Sequence, residues 1–193
     1  SADHGGMNNA QFLLDRRIPA GDWNTKTAQK DLNEMLKAKY PSAGDLVKWV
    51  SNYQVFFDTQ KIDSLSLDYN AIKQEVVNRL KKDKRVQYAC DMEKASTESI
   101  PEEIKYRIIN GYNRERSGGV QVILKPAYYS NGMKGTTHGA WNGYDTHIPL
   151  VFMGWGIQHG ASTEPCYMTD IAPTVCALLH IQAPNGCIGT PIF

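Results

Sequence analysis

Between residues 45 and 125 the apolar residues switch repeatedly between the spacing of a strand and the spacing of a helix. Val47 to Val50 and Tyr53 to Phe57 are rich in β-branched and aromatic residues, which predicts two short strands or a hairpin. Ile72, Val76, Val77 and Leu80 then recur at three- and four-residue steps. The run Lys81-Lys82-Asp83-Lys84 that follows suits a solvated helix end, where lysines meet the negative end of the helix dipole. Val86 to Ala89 reads as a strand, and Pro101 opens a helix carrying Ile104, Ile108 and Ile109, with a stop at Gly111. Val120 to Leu124 closes the series as a strand. This order predicts a compact α/β subdomain, with an antiparallel or mixed sheet and helices on one face.

The flanks differ in character. Ala28, Leu32, Met35, Leu36 and Tyr40 mark a helix over residues 25–40, capped by Asn24 or Thr25 and ended by Pro41. From Pro126 to Gly160 glycines and aromatics are frequent and helical periodicity is absent. Within that stretch Ile148-Pro149-Leu150-Val151-Phe152-Met153 is a continuous apolar run, which predicts a strand buried on both faces. A last helix is expected from Asp170 to His180, with Asp170 as N-cap and Pro173 in the first turn, where its missing N–H is no loss.

Composition excludes several roles. The 21 basic and 20 acidic side chains leave a net charge of +1, so neither a strongly basic nucleic-acid binder nor an acidic tail is expected. Nor does any apolar run reach the length of a membrane span. At 193 residues the chain can bury roughly 70% of the surface it exposes when unfolded, so a core needs no staple. Cys90, Cys166, Cys176 and Cys187 lack the Cys-x-x-Cys spacing of a zinc knuckle or thioredoxin-type site, and they read first as buried free thiols.

Three histidines lie among glycines and small hydroxyl residues: His4, His138 and His147. Asp3-His4 pairs a carboxylate with an imidazole, a ligand combination that suits zinc. Adjacent side chains on a strand point to opposite faces, so both can reach one ion only if the backbone turns, and Gly5-Gly6 permits a turn. The same dipeptide also fits a capping Asp beside a surface His. His138, in Gly135-Thr136-Thr137-His138-Gly139, sits in an approachable polar loop, as a ligand or general base must. His147 equally suits a loop hydrogen bond. There is no Gly-x-Ser-x-Gly elbow, no phosphate-cradling loop ending in Lys-Ser/Thr and no His-Glu-x-x-His.

Ala2-Asp3-His4-Gly5, Gly135 to Gly139, Ile148 to Met153 and Thr169-Asp170-Ile171-Ala172-Pro173-Thr174 together resemble the C-terminal half of the alkaline phosphatase superfamily. The stretch from Asp68 to Thr190, including Ile108 to Asn113 and Tyr144 to Leu150, is most similar to the bacterial phosphate-irrepressible type found in Bacteroidetes. The resemblance implies the C-terminal part of an alkaline-phosphatase-like α/β sandwich. Residues 1–44 and 126–193 then belong to the phosphatase core and 45–125 to an inserted cap.

The resemblance further implies a hydrolase of phosphate monoesters that uses two zinc ions and forms a phospho-enzyme on a Thr or Ser. Asp3 and His4 resemble ligands of the zinc on the nucleophile side, and His138 a ligand of the other. The nucleophile and the remaining ligands would precede residue 1, so the chain is expected to be a fragment that is inactive alone and that can dimerise through exposed core surface. A phosphodiesterase or sulfatase of the same superfamily, or a non-catalytic α/β binding module, is the alternative. Relatives of this type are periplasmic or secreted, behind a signal peptide outside this sequence.

Overall fold

The computed structural model describes all of residues 1–193, and the chain divides into two units, Ser1–Pro149 and Leu150–Phe193. The first unit is built on a four-stranded antiparallel sheet of order β2-β3-β5-β4. Its strands are β2 (Val47–Ser51), β3 (Gln54–Phe57), β4 (Val86–Asp91) and β5 (Val120–Leu124). A two-residue turn joins β2 to β3. Asn52 and Tyr53 both carry positive φ, 48° and 58°, the geometry whose twist matches a hairpin. Tyr53 is a strained residue for that position, but its ring is buried and its carbonyl accepts from Val122 N (2.8 Å).

Helices α2 (Thr25–Lys39) and α4 (Tyr69–Leu80) cover one face of this sheet. Leu32 and Leu36 of α2, Ile72, Val76, Val77 and Leu80 of α4, and Val120, Val122 and Leu124 of β5 share a single core with Trp23 and with Ile62 of α3 (Thr59–Ser64). Buried Asn33 fastens α2 to β2: its Nδ2 donates to Val47 O, and its Oδ1 accepts from Leu46 N and Val47 N (2.8–3.0 Å). Asn24 is the N-cap of α2, accepting from Thr27 N, and Asp68 caps α4 from the residue before its start.

The expectation of helices on one face is corrected by the structure. Ile123, between inward-facing Val122 and Leu124, points to the opposite face. There it joins Cys90, Met92, Ala95 and Ile108 of α5 (Glu102–Gly111) in a second core. Every residue of β5 is therefore buried, because the strand is covered on both sides. The predicted 45–125 segment holds all four strands, while α2 from outside it contributes to their main core.

A third cluster of Ala10, Ala20, Ala127 and Tyr129 links α1 (Ala10–Asp15) to a parallel pair, β1 (Gly21–Asp22) and β6 (Tyr128–Tyr129). Helix α6 (Gly143–Thr146) follows.

In the second unit the regular element is α7 (Ile171–Leu178), preceded by a 3₁₀ turn, Met168–Asp170. Asp170 does not cap α7 with its side chain. Its carboxylate accepts from Tyr167 N (2.8 Å) and Thr190 N (3.0 Å), while Thr174 Oγ1 accepts from Ile192 N (3.0 Å). These bonds pin the C-terminal segment beside the start of α7. Gly189 is required there, since a Cβ would stand 2.1 Å from Thr169 O.

The apolar run Ile148 to Met153 is not the buried strand that its composition predicts. Neither strand ladder includes it, and Val151 and Met153 are 74% and 95% exposed while Leu150 and Phe152 are half-buried. Its exposure alternates as in a strand, but a strand needs a neighbour for its N–H and C=O groups, and no segment of this chain pairs with it. All four cysteines are free thiols. Cys90 and Cys176 are buried as predicted, Cys166 is exposed and Cys187 is half-buried.

Candidate functional site

The segment from Ser1 to Asn9 has no helical or strand geometry and bends at Asp3. The bend brings two neighbouring side chains together: His4 Nε2 lies 3.5 Å from Asp3 Oδ2, and Asp3 Oδ1 accepts from His4 N (3.1 Å). His4 Nδ1 is 2.7 Å from Gly5 O. A carbonyl oxygen only accepts, so Nδ1 carries the proton and a neutral His4 presents the Nε2 lone pair to Asp3. The Nε2 atom of His4 and Oδ2 of Asp3 are thus two donor atoms that face one another at an exposed place.

Gly5 sits where no side chain fits. A Cβ would stand 2.0 Å from Tyr144 O, and Gly5 N donates to Asp145 O (2.8 Å). Gly6 has open space around it, so of the two glycines expected to allow the turn, Gly5 is the one that the packing demands.

His138 reaches the same place from a loop that is held at several points. Tyr129 of β6 is the main anchor. Its hydroxyl accepts from Ala10 N (3.0 Å) and donates to Gly135 O. Asn131 Nδ2 donates to Thr136 O (2.7 Å), and Thr136 Oγ1 donates to Met7 O (2.7 Å), tying the loop to the N-terminal segment. The rings of His4 and His138 are stacked, with centroids 3.6 Å apart and planes 12° from parallel. Both residues are exposed. Asp3, His4 and His138, far apart in sequence, are thus gathered in one place. His147 is not part of that group; it is exposed and ends α6, its N–H bonded to Gly143 O (2.8 Å).

The donor set fits zinc in part. Zinc with bonds of about 2.0–2.1 Å sets tetrahedral ligand atoms about 3.3–3.4 Å apart, close to the 3.5 Å between His4 Nε2 and Asp3 Oδ2. His138 lies flat against His4 rather than converging with that pair, and no three or more His, Cys, Asp or Glu side chains form a group able to hold an ion. The chain thus supplies two ligand atoms spaced for one ion and a second imidazole beside them.

Asp145 of α6 bonds to both segments that carry these histidines, and no motif or spacing in the sequence gives it a role. It is 5% exposed, and its Oδ2 accepts from Ala140 N (2.7 Å) while its Oδ1 is buried with no partner. Burial pushes the hydroxyl of adjacent Tyr144 above the usual tyrosine value, and its oxygen accepts from Asn142 Nδ2 (2.8 Å) and Ala127 N (3.3 Å).

No family model matches the chain. Curated relatives do match it from end to end. It is 46% identical to a protein of Myroides odoratus named a calcium-transporting ATPase. It is 45% identical to alkaline phosphatase PafA of Elizabethkingia meningoseptica and 43% identical to alkaline phosphatase PhoV of Synechococcus elongatus. Each match covers 100% of this chain but only 34–35% of the relative, so the chain spans about a third of their length. The crystal structure of wild-type PafA superposes on 99% of this chain, and on 36% of its own, with a TM-score of 0.91 at 44% identity. The chain is thus a homologue of the PafA and PhoV alkaline phosphatases, with the PafA fold, over a stretch about a third of their length.

Proposed function

We propose that the protein containing this chain is a zinc-dependent hydrolase of phosphate monoesters that acts through a Thr or Ser phospho-enzyme, and that this chain alone is inactive. The observation that carries the reading is the meeting of Asp3, His4 and His138 at one exposed place, in a chain whose relatives include two named alkaline phosphatases. Asp3 and His4 would hold the ion on the nucleophile side, and His138 would serve the second ion. Bound zinc would supply charge for the developing phosphoryl oxygens and would lower the pKa of an attacking hydroxyl.

This chain's own share of the chemistry is positioning. Gly5 O holds the proton of His4 on Nδ1, leaving Nε2 as the ligating atom, and Asp3 offers the second ligand at the right spacing. Tyr129 and Asn131 hold the loop that delivers His138. A Thr or Ser nucleophile and further ligands would come from other parts of the protein.

The name of the Myroides relative suggests a second substrate, ATP, which is also hydrolysed at a phosphorus–oxygen bond. No helix of this chain is long and apolar enough to cross a membrane. Residence in the periplasm or outside the cell is part of the proposal. So is self-association of the isolated chain, which the exposure of Met153 (95%), Trp155 (92%) and Ile188 (81%) supports. Light scattering that reports a monomer at high concentration would count against it.

The test is hydrolysis of p-nitrophenyl phosphate, bis-p-nitrophenyl phosphate and ATP after zinc loading, by the chain and by the longer protein, each with a His138→Ala variant. The reading expects monoester turnover by the longer protein alone, abolished by the substitution. Turnover by the chain would overturn its inactivity, and preference for the diester or ATP would replace the substrate class.

A further inference from the structure

The two segments that carry the histidines belong to no strand ladder; Tyr129 and the Thr136–Met7 bond tie them together N-terminal to His138, and neither holds the side C-terminal to it. Asp145 touches both segments. Its main-chain carbonyl accepts from Gly5 N (2.8 Å), one residue from His4, and its Oδ2 accepts from Ala140 N (2.7 Å), two residues from His138. Asp145 is itself held by α6, where its N–H donates to Asn142 O (2.9 Å). The preceding carbonyl, Tyr144 O, abuts the Cα of Gly5 so closely that no side chain could stand between them.

We propose that Asp145 is a positioning residue of this site in addition to Tyr129 and Asn131, a clamp whose main chain fixes the Asp3-His4 segment and whose carboxylate fixes the His138 loop on its C-terminal side. The proposal rests on the reading of those three residues as the ligand set, although its test does not. An apolar side chain of similar size would avoid the cost of the buried, unpartnered Oδ1 but could not accept from Ala140 N, so that bond is what the carboxylate provides. Through that bond Oδ2 sets where the His138 loop begins to turn back. Without that bond Ala140 N loses its acceptor, and the loop C-terminal to His138 is free to move.

The test uses the chain itself, isotope-labelled, with no metal and no substrate, so failure of the phosphatase reading and failure of the clamp are separate outcomes. Two quantities are read by NMR. One is the mutual ring-current shift of the His4 and His138 imidazole resonances, which reports the 3.6 Å stack. The other is the hydrogen-exchange protection of the Gly5 and Ala140 amides. Asp145→Leu fills the buried volume and removes the acceptor, whereas Asp145→Asn keeps an oxygen able to accept from Ala140 N.

In Asp145→Leu the ring shifts are expected to collapse towards free-histidine values and Ala140 protection to fall at least tenfold. Gly5, bonded to the main chain of residue 145, and the β5 amides should stay protected. Asp145→Asn should restore the stack. Unchanged ring shifts in Asp145→Leu would overturn the proposal. So would an Asp145→Asn variant as disordered at the histidines as the leucine variant. Loss of β5 protection in Asp145→Leu would also overturn it, by making the residue a support of the whole fold.

Discussion

Lys73 is the charge most deeply enclosed by this fold, and replacing it tests the account of the sheet. Its side chain is fully buried, with Nζ 2.9 Å from Asp91 Oδ2 and 2.6 Å from Glu93 Oε2. It also stands 4.7 Å from the centre of the Tyr69 ring. In Lys73→Met the stem keeps its volume but both carboxylates lose their cation. Removing one partner of a buried pair costs about 3–5 kcal/mol. Glu93, with a side chain 39% exposed, can turn to water, whereas Asp91 at 7% cannot, which places the expected loss near the lower end, about 3 kcal/mol. Urea unfolding followed by tryptophan fluorescence measures it.

The second variant isolates the cause. Asp91→Asn in the Lys73→Met background removes the stranded charge. It also keeps an oxygen for Glu93 N, which Asp91 Oδ1 accepts at 3.0 Å. At least half of the loss should return. If Lys73→Met is within about 1 kcal/mol of the parent, or Asp91→Asn recovers nothing, the ion pair is not what the charge contributes. The pH dependence has a definite sign. The hydrogen bond from Lys73 holds the Glu93 carboxyl below its ordinary value. The stabilisation is therefore full above the unfolded pKa and is lost as pH falls through the lower, folded one. Lys73→Met should flatten that acid limb.

Other substitutions probe the site and the C-terminal unit. Gly5→Ala should destabilise the fold by about 1–3 kcal/mol by forcing apart two stretches of backbone, whereas Gly6→Ala, with open space around it, should fall within about 0.5 kcal/mol of the parent in the same urea titration. The bonds from Thr190 N and then Tyr167 N lower the Asp170 carboxyl pKa. Protection of the Thr190 amide should therefore hold above the ordinary carboxylate range and vanish as pH falls through the lowered value. Asp170→Ala should abolish it at every pH, and amide exchange that ignores both changes would refute the pinning. Burial pushes the Cys90 thiol up to about 12, so a thiol reagent at pH 8 should label exposed Cys166 first and Cys90 only after denaturation, as peptide mapping would show.

The sheet was legible because each strand and helix carries its own period. Val120, Val122 and Leu124 announce one buried face and Ile72, Val76, Val77 and Leu80 another. Less visible was that Ile123 faces a second core, since a strand whose apolar residues fall on both faces does not say what covers each side. Lys73 could have been noticed, because it falls on the same stripe as Val76, Val77 and Leu80, and a lysine there implies buried carboxylates. Asp3, His4 and His138 were legible as residue types, but only the fold gathers them. The clamp at Asp145 left no signal in pattern or spacing, since its bonds run to main-chain groups that carry no identity in the sequence.

The apolar run after His147 and the histidine cluster share one property. Leu150 to Met153 has the composition of a strand buried on both faces, yet it stands unpaired with alternate residues bare. Asp3 and His4 have the spacing of two zinc ligands, yet no third ligand converges on them. In each case the local sequence suits an environment that these 193 residues do not supply: a neighbouring strand in one and, on the proposed reading, the rest of a coordination shell in the other. Relatives about three times as long, one of which superposes on nearly all of this chain, make a single explanation sufficient for both. If the proposed longer protein provides the neighbouring strand, it buries Val151 and Met153. If it provides the ligands, it turns a stacked pair of imidazoles into parts of two metal shells. A chain that binds zinc tightly by itself and keeps Val151 exposed would break that link between the two deficits.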